Sequence, residues 1–466
     1  MEKNLTRPPV VVVLGHVDHG KTTLLDAIRK TSIAKREAGG ITQSIGATVV
    51  DNSDAKITFI DTPGHALFSS MRLRGVNLAD IAILVVAGDD GVQPQTKEAL
   101  KLIQESKLPF VVAITKIDLA TANSENVLQQ LEKEGVYFEK RGGDIPYLGV
   151  SAKSGEGIKE LLDLISLIWE VNGTGTTPNE ELSGFVIETS KDKRGLLVSV
   201  VVKSGILKVG DTVYARELSA KIKGMIDDTG KQVKEIMPGY PAQIIGFSEL
   251  PETGSQIAKQ FVNTQTNSKK EKSQDGEAKV KIFVKAKTAG SLEALLANIP
   301  EGVQALGSGV GDVNESDIFF AKASGAIIFL FEAKIPNTVR KLAETEGIRI
   351  ENFDIIYGLI ERLTLLSKEG LEQVVGKAQI VASFPYENKR VAGSKIIQGK
   401  ITKGDSAKLI RNEKEIGKVR ITSIRKQKDE VNEVKQGEEC GILFSPQFDF
   451  LAGDMLLSVT KSNNNG

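Results

Sequence analysis

The sequence predicts a multidomain α/β and β protein: a P-loop nucleotide-binding domain, a β-barrel, a small α/β domain, a connecting helix and a second β-barrel. Three observations carry that expectation. Gly15-His-Val-Asp-His-Gly-Lys-Thr22 fits the two-glycine phosphate-loop pattern, and it stands between an apolar run, Val10 to Leu14, and a helical repeat, Leu24, Leu25 and Ile28. Three further short motifs follow, each at the end of an apolar run. Beyond the linker, short β-patterned runs with glycine turns occur twice, separated by a stretch in which strand and helix patterns alternate.

A glycine-rich turn between strand and helix aims backbone N–H groups and the positive end of a helix at a polyphosphate. Within Gly15, His16, Val17, Asp18, His19, Gly20, Lys21, Thr22 and Thr23, Lys21 supplies charge for the outer phosphates and the Thr22 hydroxyl can ligate Mg²⁺. Asp61 ends the run Ile57 to Ile60, where its carboxylate can hold Mg²⁺ through water, and Gly64 offers an N–H near a γ-phosphate. Thr115-Lys116-Ile117-Asp118 ends the run Phe110 to Ile114. Asp118 can accept from the N1 and N2 donors of guanine, a pair that adenine lacks. Ser151-Ala152-Lys153 follows Tyr147 to Val150 and brings backbone to guanine O6. One such tetrapeptide is weak evidence; four in order, each at a strand end, point to GTP with Mg²⁺. Most GTPases carry Asn where this chain has Thr115. A hydroxyl there replaces the amide that ties base loop to phosphate loop, so selectivity should survive through Asp118 and affinity should be lower. His16 and His19 are read as shaping the loop, and Asp18 as a candidate for a cation beside the phosphates.

The rest of the chain limits the function classes. A length of 466 residues corresponds to about three domains. The formal net charge is zero, which argues against indiscriminate nucleic-acid binding and leaves room for a local basic face on a large RNA partner. No run of about eighteen apolar residues occurs, so no membrane span is expected. Met1 to Arg7 is short and polar with no apolar signal region. A single cysteine, Cys440, excludes internal disulfides and suits a cytoplasmic protein. The three histidines, His16, His19 and His65, all lie in the nucleotide motifs, which argues against a Cys/His zinc site.

The nucleotide domain is expected over 1–171, its last helix carrying Ile158, Leu161, Leu162, Ile165, Ile168 and Trp169 on one stripe. Asn172 to Glu181 reads as a linker and 182–262 as a β-barrel, with Gly205 to Asp211 as a hairpin turn. Asn263 to Ala278 is polar and reads as a flexible connector. The small α/β domain covers 279–352, with strands Val280 to Ala286 and Ala326 to Phe331 and helices Ser291 to Ala297 and Pro336 to Glu346. A connecting helix is assigned to 353–373 and a second barrel to 374–462. Gly399, Ile401, Gly404 and Asp405 repeat the spacing of Gly205, Leu207, Gly210 and Asp211, and Gly437 echoes Gly239, which suggests two barrels of related design.

These residues together resemble bacterial-type translation initiation factor two. The likeness is carried by Gly15 to Arg29, by Glu37-Ala-Gly-Gly-Ile-Thr-Gln43 as a first switch, and by Asp61 to His65 with Met71 to Gly75 as a second. Asp89 to Thr96, Ser308 to Asp317, Ile356 to Ile360 and Gly437 to Gly441 extend it over nearly the whole chain. The resemblance implies that Thr42 joins Thr22 and Asp61 around Mg²⁺, and that His65 positions the attacking water. A lone histidine is more often a satisfied loop residue; its place directly after Gly64 favours the catalytic role. The resemblance further implies a ribosome-stimulated GTPase, monomeric, whose partners are the small and large ribosomal subunits, ribosomal RNA and formylmethionyl initiator tRNA. The aminoacyl end would be held by the last barrel, where Arg425, Lys426, Cys440 and Gly441 are candidates. A small buried core residue is the plainer reading of Cys440, and a solvated strand face that of the basic run Arg420 to Lys428. The long N-terminal extension common in the family has no counterpart in this sequence, Ser44 stands where the family usually has His, and Ser394 where it often has Cys; contacts made by those features are not carried over. Two rivals share the nucleotide motifs: an elongation-type tRNA-delivering GTPase, which would carry a third barrel after residue 263, and a nucleotide-gated scaffold with little turnover, which ribosomes would not stimulate.

Overall fold

The computed structural model describes residues 7–29, 42–52, 55–139, 141–173, 180–261, 280–369, 372–386, 389–411, 414–427 and 429–461. Most of the expected first switch, the middle of the 172–181 linker, the 263–278 connector and Lys428 lie outside them. The chain packs as two compact units, one formed mainly by residues up to Ile360 and the other mainly by those from Glu361.

The first unit begins with β1 (Val10–Gly15), α1 (Lys21–Arg29), β2 (Gly46–Asn52), β3 (Ala55–Asp61), α2 (Ser69–Leu78), β4 (Ile81–Ala87), α3 (Pro94–Glu105), β5 (Phe110–Thr115), α4 (Ser124–Lys133), β6 (Tyr147–Gly149) and α5 (Ile158–Asn172). The sheet order is β2-β3-β1-β4-β5-β6, parallel apart from the β2–β3 pair. β1 is buried on both faces, which is why it reads as an unbroken apolar run. Alternate residues serve two cores: Val11 and Val13 pack with Leu24, Leu161 and Ile165, whereas Val12 and Leu14 pack with Leu100, Ile103 and Leu128. Strand order reverses at β1, and the phosphate loop leaves its C-terminal end, the position where such sheets hold ligands.

A barrel follows, with β7 (Ser183–Asp192), β8 (Gly195–Ser204), β9 (Leu207–Lys208), β10 (Thr212–Ala215), β11 (Leu218–Lys221), β12 (Gly224–Ile226), β13 (Gln232–Val233), β14 (Glu235–Ile236), β15 (Pro241–Ile245) and β16 (Gln256–Ala258). The reading of Gly205 to Asp211 as a hairpin turn is corrected here. β9, inside that stretch, pairs with β14, and β10 lies between β11 and β16 rather than beside β8. The glycines encode the bends; they do not encode which strand comes next.

The α/β layer comprises β17 (Val280–Ala286), α6 (Ala289–Ala297), β18 (Val303–Val310), α7 (Glu315–Ser324), β19 (Ile327–Phe331), α8 (Asn337–Glu346) and β20 (Ile350–Phe353), in sheet order β18-β17-β19-β20. β18, α7 and β20 were not expected from the sequence. The connecting helix, α9, runs Ile356–Glu369; Phe353 belongs to β20, where it pairs with Phe331, so the helix starts three residues later than predicted.

The second unit is a barrel of β21 (Glu372–Tyr386), β22 (Lys389–Thr402), β23 (Ser406–Arg411), β24 (Lys414–Lys426), β25 (Asp429–Glu430), β26 (Glu433–Lys435), β27 (Glu439–Ser445) and β28 (Met455–Lys461). β21, β28, β23, β24, β27 and β22 pair in a closed ring. The first barrel follows the same cycle, with the counterpart of β24 broken into β11 and β12. The repeat in the sequence is therefore a repeat in structure. Gly205 and Gly399 have φ of 67° and 70°, Gly210 and Gly404 of 93° and 95°, and Gly239 and Gly437 of 85° and 88°. Asp211 and Asp405 each accept a backbone N–H from three residues back, Lys208 at 3.0 Å and Thr402 at 2.9 Å. No helix among the described residues is long and apolar enough to cross a membrane.

Candidate nucleotide site

At the C-terminal edge of the parallel sheet a cavity of about 360 Å³ is lined by Val17, Asp18, Gly20, Lys21, Thr22, Thr23, Thr42, Gly64, His65, Thr115, Lys116, Asp118, Ala152 and Lys153, together with Leu119. All but the last were singled out from the sequence. Gly15, His16, His19, Asp61 and Ser151 were also singled out, and they stand behind this lining.

Each of those five supports it. Gly15 adopts φ 151°, and a Cβ there would run into the Val85 carbonyl, so β1 can pass this close to β4 only as glycine. The His16 carbonyl accepts from Lys21 Nζ. The His19 ring turns away, lying 3.4 Å from Val85 O and 3.1 Å from an Asp90 carboxylate oxygen. Asp61 is buried at the tip of β3. Ser151 was expected to contact guanine through its backbone. That is corrected: its N–H donates to Glu156 O, and its hydroxyl donates to Asp118 Oδ1 at 2.8 Å, holding the carboxylate in orientation. Ala152 and Lys153 line the cavity.

At the phosphate end, burial pulls Lys21 down to about 8, opposed chiefly by the charge of Asp61. The Thr22 and Thr42 hydroxyl oxygens are 2.6 Å apart. Neighbouring ligands of an octahedral Mg²⁺ with bonds of about 2.0–2.1 Å are about 2.9 Å apart, so a small opening of this pair would admit the ion between hard oxygen donors. At the base end, Thr115 Oγ1 donates to His19 O at 2.6 Å, the tie between base loop and phosphate loop that an Asn amide would otherwise make. Lys116 sits at φ 58° and Asp18 at φ 61°, sparsely populated for non-glycine residues, and both line the cavity.

His65 caps a short 3₁₀ turn, Ala66–Phe68: its Nδ1 accepts from the Leu67 N–H at 3.2 Å. The acceptor role leaves the proton on Nε2. Burial first, then the charges of Arg72 and His16, push the imidazole down to about 4, so it is neutral at physiological pH. Its ring meets Tyr357 of α9 edge-on, centroids 4.1 Å apart. Leu119 had no signal in the sequence, and Arg72 and Tyr357 fell within family-like segments without being given roles of their own.

In the last barrel Arg425, Gly441 and Cys440 are neighbours, Arg425 lying opposite Gly441 and Ser394 opposite Cys440. Cys440 lies in the barrel core, as the plainer of its two readings has it. It alternates inward with Ile442 and Phe444, and burial pushes its thiol up to about 11. Gly441 faces outward beside Val391, Arg425 is exposed, and Lys426 is ion-paired with Glu438 at 2.7 Å.

Residues 7–170 match the Elongation factor Tu GTP binding domain family, 181–260 the Elongation factor G domain 2 family and 255–364 the Translation-initiation factor 2 family. The chain is 39% identical to a translation initiation factor IF-2 of Aquifex aeolicus, over 97% of its own length and 60% of that protein's. It is 40% identical to the translation initiation factors IF-2 of Anoxybacillus flavithermus and of a Thermotoga species, covering 98% of this chain in each case, and 68% and 71% of theirs.

Proposed function

From the premise that the chain belongs to the translation initiation factor IF-2 family, we propose that it binds GTP with Mg²⁺ in the 360 Å³ cavity. On this reading it hydrolyses GTP on the ribosome in the cytoplasm. It places formylmethionyl initiator tRNA on the small subunit and promotes joining of the large one. The observation that carries the reading is the convergence of Lys21, Thr22, Thr42, Gly64 and His65 at one end of a single cavity with Asp118, Ala152 and Lys153.

Phosphoryl transfer needs positioning and charge neutralisation more than covalent help. Thr22 and Thr42, with Asp61 behind them, would hold Mg²⁺, which would supply positive charge against the phosphates. Lys21 adds a buried charge on the same side. Asp118, braced by Ser151, reads the guanine donors, and Thr115 keeps base and phosphate loops in register. His65 acts as a hydrogen-bond donor. With Nδ1 engaged by Leu67, Nε2–H can orient a water, and the ring is too weak a base to take its proton. For the initiator tRNA, the outward face around Gly441, Val391 and Phe384 supplies an apolar seat for the aminoacyl end, and Arg425 and Lys426 stand beside it for phosphates.

His65→Ala should keep GTP affinity and lose ribosome-stimulated hydrolysis, read by phosphate release with and without ribosomes. Unchanged stimulated turnover would sink the assignment. Filter binding of formylmethionyl-tRNA against unformylated Met-tRNA tests the second half; equal retention of both would remove it.

A further inference from the structure

We propose that Arg72 is a positioning residue for hydrolysis: it ties the Pro63–His65 turn to α3 and so fixes the imidazole at the phosphate end of the cavity. The inference rests on the reading of His65 given above. Arg72, in α2, has 1% of its surface exposed and is among the largest fully buried side chains of the described residues. One arm of its guanidinium, Nη1, donates to the carbonyls of His65 and, at 3.4 Å, Pro63. The other arm, Nη2, donates to Glu98 Oε1 at 2.6 Å, on α3. Those two carbonyls bracket Gly64, so the fork clamps the segment that presents both Gly64 and His65 to the cavity.

Stability does not explain this arrangement. The Glu98 side chain is 38% exposed, and an ion pair with a solvated carboxylate contributes little to stability. Arg72 Nε is moreover buried with no hydrogen-bond partner, an unfavourable feature that an apolar side chain would lack. Geometry does explain it. A planar fork with two donating arms fixes a turn against a neighbouring helix in a way a flexible chain cannot. The charge works in the same direction. It sits near the imidazole and disfavours protonation, and protonation at Nδ1 would break the bond by which His65 accepts from Leu67. The turn, the tautomer and the charge thus select one state of His65.

The test uses the full chain, with Arg72→Met, Arg72→Lys, Glu98→Gln and His65→Ala. The readouts are kcat and KM of ribosome-stimulated GTP hydrolysis, GTP affinity without ribosomes, and ring NMR of a protein that has three histidines. A reacting group misplaced by about 1 Å can lose about a hundredfold in rate, so Arg72→Met should lose that order in kcat with KM held, and His65 should titrate at higher pH. Arg72→Lys keeps the charge without the fork: kcat should fall while the His65 titration stays low. Glu98→Gln loosens only the anchor and should lower kcat less. Unchanged kcat in Arg72→Met and Arg72→Lys, or a loss confined to KM, overturns the proposal. Should Arg72→Met fail to bind GTP, Glu98→Gln decides: reduced kcat at parental GTP affinity supports the proposal, and unchanged kcat overturns it. If His65→Ala hydrolyses normally, the reading of His65 has failed; if it is dead while both Arg72 variants turn over normally, only the role of Arg72 has failed.

Discussion

Thr115 offers the sharpest quantitative test of the cavity. It is 3% exposed, and its hydroxyl donates to the His19 carbonyl at 2.6 Å, joining the loop that reads the base to the loop that holds the phosphates. Thr115→Val keeps the shape and deletes the donor. A buried acceptor left unsatisfied costs about 1–3 kcal/mol. At about 1.4 kcal/mol per decade, that is roughly a 5- to 140-fold change in an equilibrium constant. Where the cost appears depends on the empty loop. If the free phosphate loop relaxes and turns His19 O to water, GTP binding must undo the relaxation, and the loss appears as weaker affinity. If the loop stays rigid, the same loss appears in the melting temperature. Calorimetric titration with Mg²⁺ present, paired with thermal denaturation of the nucleotide-free chain, measures both. A valine variant unchanged in both GTP affinity and melting temperature would refute the claim that this hydroxyl couples the two loops.

Asp118→Asn exchanges an acceptor for a donor at the guanine edge; competition binding should then favour xanthosine nucleotides, and undiminished preference for GTP would contradict the base-reading role. A Cβ on Gly64 would run into Lys21 Nζ and stand 3.1 Å from Lys21 Cε and 3.2 Å from Val17 N, so Gly64→Ala should weaken GTP more than GDP in calorimetry; equal weakening would show that the turn does not attend to the γ-phosphate. Burial depresses Lys21 to about 8, and phosphate must raise it, so binding takes up a proton above that pH and GTP affinity should fall by up to about tenfold per unit as pH rises past about 8. The stability of the nucleotide-free chain has the opposite sign: the unfolded chain keeps this proton up to 10.5, so the contribution of Lys21 becomes more favourable as pH rises between about 8 and 10.5. A flat affinity profile from pH 7 to 9.5 would mean that Lys21 is not so deeply desolvated.

What the sequence made legible was whatever depends on local spacing. β1 could be read because both its faces are buried, and the phosphate loop because its glycines meet a local steric demand: Gly15 lies too close to Val85 O for any side chain. The barrel repeat was visible because positive-φ glycines and the Asp turn three residues on are local as well. The rest depends on distant partners. Gly205 to Asp211 looked like a hairpin because the same bend serves a strand that leaves for another sheet. α7 was missed because Phe319 and Phe320, 52% and 41% exposed, blur its apolar stripe. Arg72 gave no sign of its burial, since a charged residue is expected at the surface unless its partners are known, and Glu98 lies 26 positions away.

Two routes join the cavity to the start of α9, one through a single intervening residue and one by direct contact. Thr42 lies against Thr22, and the next residue, Gln43, is 2% exposed and directed wholly at the α/β layer. Gln43 Oε1 accepts the N–H of Ile356, the first residue of α9, at 3.1 Å, and Nε2 donates to Asp354 O at 2.7 Å; the Gln43 carbonyl accepts from Ser291 Oγ at 3.3 Å. The second route is the contact of His65 with Tyr357, one position further along the same helix. The first N–H groups of a helix lack internal partners, so a side chain that satisfies one contributes about 0.5–2 kcal/mol. Gln43 follows Thr42 directly in the chain, so the cap on α9 and the hydroxyl against Thr22 come from adjacent positions. Loss of that cap alone would shift the balance between a formed and a frayed first turn of α9 by about 2- to 30-fold. The cap is an uncharged side chain, so its contribution should persist at ionic strengths that screen surface ion pairs.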